Sequence, residues 1–385
     1  MNQLKNRIKL LIDASIVAKG GGVQVAYSFI CNIVKDPSFD LVLVVSPQLD
    51  KQLPNELKLE VPHYYVEKNE PIWKKHSQAR RLLKIESLHL PDLVFVIFGP
   101  SYWRPKALCL QGFALPLLVY PETRNFVYRN DIKKYFYQKI LNWYKGVLFK
   151  KNADFAVVET ETFKKKLYSV LGFSLSRIYV VENSFNVNFK DKENKINKVN
   201  KEVSIFIPSA FYPHKNLEIL IDVACLLKTE NFDFKFNFLV DSQSLEWKKI
   251  LKLAELKNVA HFFNTYGVVA NTMMKNLYEK NDLVLLPTLA EASTAVYPEA
   301  FVSDRVLLTS DLDFARELCG EAAIYFNPHD PQDIANKICS IALNKAQQDN
   351  LILNGNKQLK ISYVTPEEKW EKQRAVLLDI YRNVI

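Results

Sequence analysis

Short β-rich apolar runs alternate with helical stretches along this whole chain, and that alternation constrains its fold more than any other feature. In the first half, IKLLID (8–13), LVLVVS (41–46), HYYVE (63–67), LVFVIFG (93–99), ADFAVVE (153–159) and RIYVVEN (177–183) read as strands, most of them buried on both faces. VQVAYSFICNIV, WKKHSQARRLLKI and the long 131–151 segment lie between them and read as helices. The second half restarts the pattern. SIFIPSA leads to a helix from Asn216 to Leu227, FKFNFLV to LEWKKILKLAEL, and VAHFF to a helix ending near Tyr278. DLVLLPT then precedes a helix near 294–302, and RVLLTS, DFAREL and AAIYFN follow. Strands separated by helices imply βαβ units and parallel sheets. Right-handed crossovers put the strand carboxyl ends on one edge, where such sheets bind ligands.

At 385 residues the chain is too long for one core, and the expected division is 1–190, 200–364 and a C-terminal helix over 365–385 that returns to the first domain. The charged stretch 191–203 reads as the linker. In the last segment Trp370, Val376, Leu377, Ile380 and Tyr381 form the expected apolar face. No uncharged apolar run reaches the length of a membrane span, and the N-terminal run reads as a buried strand, not a signal peptide. Five widely spaced cysteines, with no Cys-x-x-Cys pair, read as buried free thiols of a cytoplasmic protein.

The net charge of +9 is unevenly spread: residues 1–190 carry 28 Lys+Arg against 16 Asp+Glu, so the whole surplus lies there. A solvated lysine-rich surface explains it, and so does a phosphate-bearing partner such as an anionic membrane, a lipid diphosphate or nucleic acid. The segment 130–151 interleaves Lys133, Lys134, Lys139, Lys145, Lys150 and Lys151 with aromatic residues. It reads either as a bilayer-surface helix or as a packing helix with a lysine-rich outer face.

Three stretches carry chemistry. Gly20, Gly21 and Gly22 sit between the first strand and its helix, where a backbone without Cβ lets amides approach a phosphate. They match neither a Walker loop nor the dinucleotide fingerprint. In SIFIPSAFYPHKN, Lys215 and Asn216 open a helix, placing a cation where a diphosphate can meet it. In DLVLLPTLAEASTAVYPEAF (282–301), Glu291 follows a buried strand and Glu299 lies on an otherwise apolar helix. Carboxylates so placed suit sugar and ribose hydroxyls.

The glycine-rich loop, the lysine, and LP-x-x-x-E followed by a second Glu together resemble the large retaining GT-B glycosyltransferase family (family four, group 1), surface-polysaccharide subgroup. The 310–338 tail is similar to that family too. The resemblance implies two Rossmann-like parallel-sheet α/β domains facing across a cleft. It implies a retaining hexosyltransferase that moves sugar from a nucleotide diphosphosugar to a saccharide or lipid-linked glycan. By it, Glu291 faces the donor sugar, Lys215 neutralises the leaving diphosphate and Glu299 binds the ribose diol. The amides of Ser293 and Thr294 hold phosphate or sugar oxygens, the turn ending at Gly267 borders the base, and Gly21 and Gly22 approach the diphosphate from the opposite domain. His214 and Asn216 complete the donor set.

Two positions depart from the family pattern. Ala210 stands where many members have an arginine, which leaves diphosphate binding to Lys215, His214 and the helix dipole or to a basic group elsewhere. Gln111, Gly112 and Phe113 stand where many have a histidine. The pair GPSYWRPK and QGFALP resembles the surface-polysaccharide subgroup, with Tyr102, Trp103, Gly112 and Phe113 on the acceptor side. Asp311-Leu312-Asp313 has the look of a metal motif, but Ser310 or Asp311 is expected to cap the next helix, so neither metal nor other cofactor is expected. Peripheral contact with an anionic membrane is an expected partner, and nucleic acid is not. A sugar-nucleotide epimerase and a non-enzymatic polyanion binder are the rival readings.

Overall fold

The computed structural model describes residues 7–18, 20–185, 189 and 202–384, which leaves the expected linker outside the description except for its last two positions. The chain divides into two compact units. One holds the residues up to Pro121, Tyr128–Val181 and Glu367 onward; the other holds Glu122–Val127 and Glu182–Pro366. Linear division gave 122–127 to the first domain; its contacts instead place it in the second unit.

The first unit is built on seven strands: β1 (Ile8–Ala14), β2 (Phe39–Val45), β3 (His63–Val66), β4 (Leu93–Val96), β5 (Leu108–Gly112), β6 (Phe155–Val158) and β7 (Ile178–Val180). They run parallel in the order β3-β2-β1-β4-β5-β6-β7. Leu10 sits opposite both Leu41 and Leu93, so the central strands bury continuous Leu, Ile and Val runs on both faces. The helix Pro366–Val384 packs Val376, Leu377 and Ile380 into this unit's core, with the Trp370 ring edge-on to Phe29 at 5.8 Å.

The second unit has six strands: β8 (Val203–Ile207), β9 (Phe234–Phe238), β10 (Phe263–Thr265), β11 (Leu283–Leu286), β12 (Val306–Ser310) and β13 (Ala323–Phe326). They are parallel in the order β10-β9-β8-β11-β12-β13. Phenylalanines on β9, with Phe263 and Trp247, build an aromatic core beneath helix Leu245–Leu256. The five cysteines are unpaired thiols.

Candidate active site

In the second sheet the strand order reverses between β8 and β11, and the crevice beyond such a switch point is where open α/β sheets bind ligands. Lys215 ends the tight turn Pro213–Lys215 that follows β8. Asn216 adopts a left-handed conformation (φ 56°), its side-chain amide donating to the Pro328 carbonyl at 2.8 Å, and the helix starts only at Ile219. The lysine therefore stands in the loop before the helix and does not open it, which corrects the sequence expectation. The loop after β11 is tied to this turn, since the Leu289 amide donates to the His214 carbonyl at 2.8 Å. Across that junction Lys215 Nζ donates to Oε1 of Glu291 in an ion pair whose side chains are 14% and 7% exposed. The Thr288 hydroxyl donates to the same oxygen at 3.0 Å.

His214 supplies no second cation. Burial pushes its imidazole down to about 4, with Glu291 opposing and Lys215 adding to the shift. It is neutral near pH 7, so the expected help with diphosphate charge is withdrawn. Its ring lies parallel to Tyr212 with centroids 5.8 Å apart.

Glu299 is the fourth residue of the short helix Val296–Val302 and is buried. The Tyr278 hydroxyl donates to its Oε2 at 3.0 Å. Burial raises this carboxyl to about 7, the tyrosine bond pulling the other way. Ser293 and Thr294 precede the N-cap residue Ala295, so their amides lie just ahead of the helix instead of in its first turn. The Thr294 hydroxyl accepts from the Val296 amide at 3.3 Å, and the Ser293 hydroxyl accepts from Asn183 at 3.3 Å. Gly267 lies past β10 with φ 73°, a conformation that favours glycine, and its amide donates to the Thr265 hydroxyl at 3.0 Å.

Sequence reasoning missed Tyr278, Thr288 and a basic residue, Arg124. The Thr123 hydroxyl donates to the Leu289 carbonyl at 2.9 Å, and the Phe126 ring lies 4.3 Å from that of His329, so 122–127 packs beside the Glu291 loop. Among the described residues Arg124 Nε is buried without a hydrogen-bond partner, and the guanidinium donates to the adjacent Asn125 at 3.4 Å. The one sequence signal was indirect: Ala210 vacates a family arginine position.

In the first unit the order reverses between β1 and β4. Gly20, with φ 66° and ψ −156°, begins the helix Gly21–Ile33. Gly20 is the residue whose conformation requires glycine. A Cβ on Gly21 would meet nothing within 4 Å, and one on Gly22 would touch Phe98 at an ordinary 3.4 Å.

The acceptor-side expectation needs correction. Trp103 is buried and its indole donates to Asp13 at 2.9 Å, so it offers no open platform. Phe113 is buried against Phe149 at 4.6 Å. Gly112 is a packing position, because a Cβ there would lie 1.9 Å from the Ile97 carbonyl. Tyr102 alone keeps partial exposure, beneath Lys75 Nζ at 4.6 Å. Gln111 is fully buried and accepts from the Ser101 amide at 2.9 Å. Neither Ser310 nor Asp311 caps the helix Asp313–Cys319. Asp311 instead grips Arg316 through two bonds of 2.7 and 2.9 Å.

Residues 202–344 match the family model described as glycosyl transferases group 1. Over 277 residues, 69% of this chain and 72% of the relative, the chain is 23% identical to the O-antigen chain mannosyltransferase RfbU of Salmonella typhimurium. Its fold is similar to that of HepE from Anabaena in complex with UDP and glucose (TM-score 0.71, 14% identity, 97% and 100% of the two chains). It is similar also to sucrose-phosphate synthase from Thermosynechococcus elongatus (0.74, 12%, 98% and 100%) and to the lipopolysaccharide outer core galactosyltransferase WaaB (0.65, 12%, 97% and 99%).

Proposed function

We propose, from the premise that this chain is a group 1 glycosyltransferase with the GT-B fold, that it transfers a sugar from a nucleotide diphosphosugar with retention of anomeric configuration. The acceptor in this reading is a saccharide or lipid-linked glycan in surface-polysaccharide assembly, and the setting is the cytoplasm. The O-antigen and lipopolysaccharide enzymes among the similar proteins support that class of acceptor, and the UDP-bound neighbour supports that class of donor.

The observation that carries the reading is the largely buried Lys215–Glu291 pair at the switch point, with Glu299 eight residues further along the same connection. In the transfer, the bond from the anomeric carbon to the diphosphate oxygen breaks, leaving an oxocarbenium-like carbon and negative charge on the diphosphate. Lys215 turns from Glu291 to that charge, and Arg124 adds the cation that Ala210 and neutral His214 do not. Glu291 then faces sugar hydroxyls, and ionised Glu299 accepts from the ribose diol. The acceptor oxygen bonds on the face the diphosphate leaves, and its proton passes to the departing diphosphate. No carboxylate nucleophile or metal ion is needed in this scheme.

A thermal-shift screen against UDP-, GDP-, dTDP- and ADP-sugars identifies the donor, since a ligand of the native state raises the melting point. With it, Glu299→Ala is expected to raise donor KM sharply and Lys215→Ala to lower turnover. Unchanged kinetics in both variants would overturn the assignment. Product analysis with and without acceptor separates transfer from epimerisation of the donor.

A further inference from the structure

The helix Ile132–Asn152 carries six lysines and no acidic residue, and its sequence left two seatings open. The structure decides which side faces out. Asn142, Gly146, Phe149 and Asn152 are buried, with Phe149 packed on Phe113 and Phe173. Gly146 lies so close to its neighbours that a Cβ would come within 2.8 Å of Leu171. At 3.6 residues per turn the opposite side presents Phe136, Ile140, Trp143 and Val147 in one row. Phe136 is 52% exposed, Ile140 64% and Trp143 67%, with Tyr137 and Tyr144 alongside. The outer face is therefore mixed, an apolar and aromatic row beside exposed Lys133, Lys134, Lys139, Lys150 and Lys151.

We propose that this face docks the protein on an anionic lipid bilayer, with the helix lying in the plane of the interface. Exposed Lys133 stands at one end of the row, Lys139 midway, and Lys150 and Lys151 at the other end. An apolar row set among cations, with the N-cap Asp131 the carboxylate at its start, matches a surface that is apolar beneath and negative at its headgroups. Trp143, Tyr137 and Tyr144 are the side chains that settle at that boundary, each with an apolar body and a polar tip. A second copy of this chain would bring the same lysines against these, like charge on like charge. No helix among the described residues is long and apolar enough to cross a membrane, so the contact is in-plane. The proposal goes beyond the transfer reaction and does not depend on it.

The test is co-sedimentation of the full chain with vesicles of phosphatidylcholine alone or of phosphatidylcholine mixed with phosphatidylglycerol. Binding is expected to the phosphatidylglycerol vesicles and to weaken with salt. The triple substitution Phe136→Ser, Ile140→Ser and Trp143→Ser is expected to reduce it by about tenfold or more. Lys133→Gln with Lys139→Gln and Lys150→Gln is expected to remove the preference for the anionic lipid. Brominated acyl chains quench part of the tryptophan emission, and Trp143→Phe removes that part. Melting temperature and donor-induced thermal shift check that each variant is folded, so lost docking is distinguishable from a lost donor site. Failure to sediment with the anionic vesicles, or sedimentation unchanged in the apolar triple variant, overturns the proposal. So does a triple variant that only converts a dimer to a monomer.

Discussion

The Tyr278 hydroxyl donates a 3.0 Å hydrogen bond to Oε2 of Glu299, and both side chains are buried in the second unit. With its carboxyl raised to about 7 by burial, Glu299 titrates in the neutral range. A diol binds by donating two hydrogen bonds, so it favours the ionised form. Donor affinity is therefore expected to fall as the pH drops below about 7, approaching tenfold per unit for a single linked proton. Tyr278→Phe removes the bond that favours ionisation, so the midpoint should move upward. Titration calorimetry across the neutral range checks both, and a flat wild-type profile would count against Glu299 as the diol acceptor.

The same group makes stability depend on pH with a definite sign. Between its ordinary 4.5 and the folded-state value of about 7, the native state holds a proton that the unfolded chain has lost. Glu299's contribution is thus full below 4.5 and is lost as the pH rises through about 7. The span is on the order of 3 kcal/mol. Urea midpoints of the wild type measured against Glu299→Gln should show this gap closing over that window and levelling above it.

The Lys215–Glu291 pair separates stability from activity. Removing the ammonium leaves a nearly buried carboxylate without its partner, so Lys215→Met should lower the melting temperature, at a cost of roughly 3 kcal/mol. Adding Glu291→Gln removes the stranded charge and should restore most of the melting temperature. Turnover should stay depressed by about a hundredfold in both the single and the double variant. A double variant regaining wild-type turnover would show that the lysine served only to balance the glutamate.

Much of this architecture was legible because the central strands are uninterrupted apolar runs: IKLLID and LVLVVS appear as β1 and β2 with little shift in their ends. β5 carries no such run, because Leu108–Gly112 is interrupted by polar Gln111 and ends in Gly112, a residue depleted in strands. Both are there for tertiary reasons, Gln111 to hold the Ser101 amide and Gly112 to let the Ile97 carbonyl approach. The helix after β8 begins three residues later than its apolar pattern suggests, because the left-handed turn at Asn216 leaves no local hydrophobic signature. Lys215, Glu291 and Glu299 could be singled out, but not the partners of Glu291 and Glu299. Tyr278 is 21 residues from Glu299 and Lys215 is 76 from Glu291, so only folding brings them together.

Trp103 shows how that gap misleads. Beside Tyr102 in sequence it suggested a sugar platform, whereas its indole is spent on buried Asp13. Trp103→Phe keeps an aromatic ring, smaller than the indole, and loses the donor, leaving Asp13 the Ser15 amide among its hydrogen bonds. The expected result is a loss of about 1–3 kcal/mol in stability with unchanged acceptor KM. An acceptor KM that rises without any fall in melting temperature would return Trp103 to the binding surface.

Arg124 is the prediction with most at stake for the site. It comes from a six-residue segment held to the second unit by Thr123 on Leu289 and Phe126 against His329, beside the loop that carries Glu291. Its guanidinium Nε is buried and finds no partner among the described residues, an arrangement that costs free energy unless an anion completes it. If that anion is the donor diphosphate, Arg124→Ala should raise donor KM by about tenfold or more, as loss of a charge-assisted bond implies. Arg124→Lys, which keeps the charge but not the fork, should recover only part of it. Free nucleoside diphosphate should lose affinity in the same proportion, while a nucleoside without phosphates should bind Arg124→Ala and wild type alike. Equal losses for both ligands would mean that the substitution had disturbed the Leu289 loop and removed no phosphate contact.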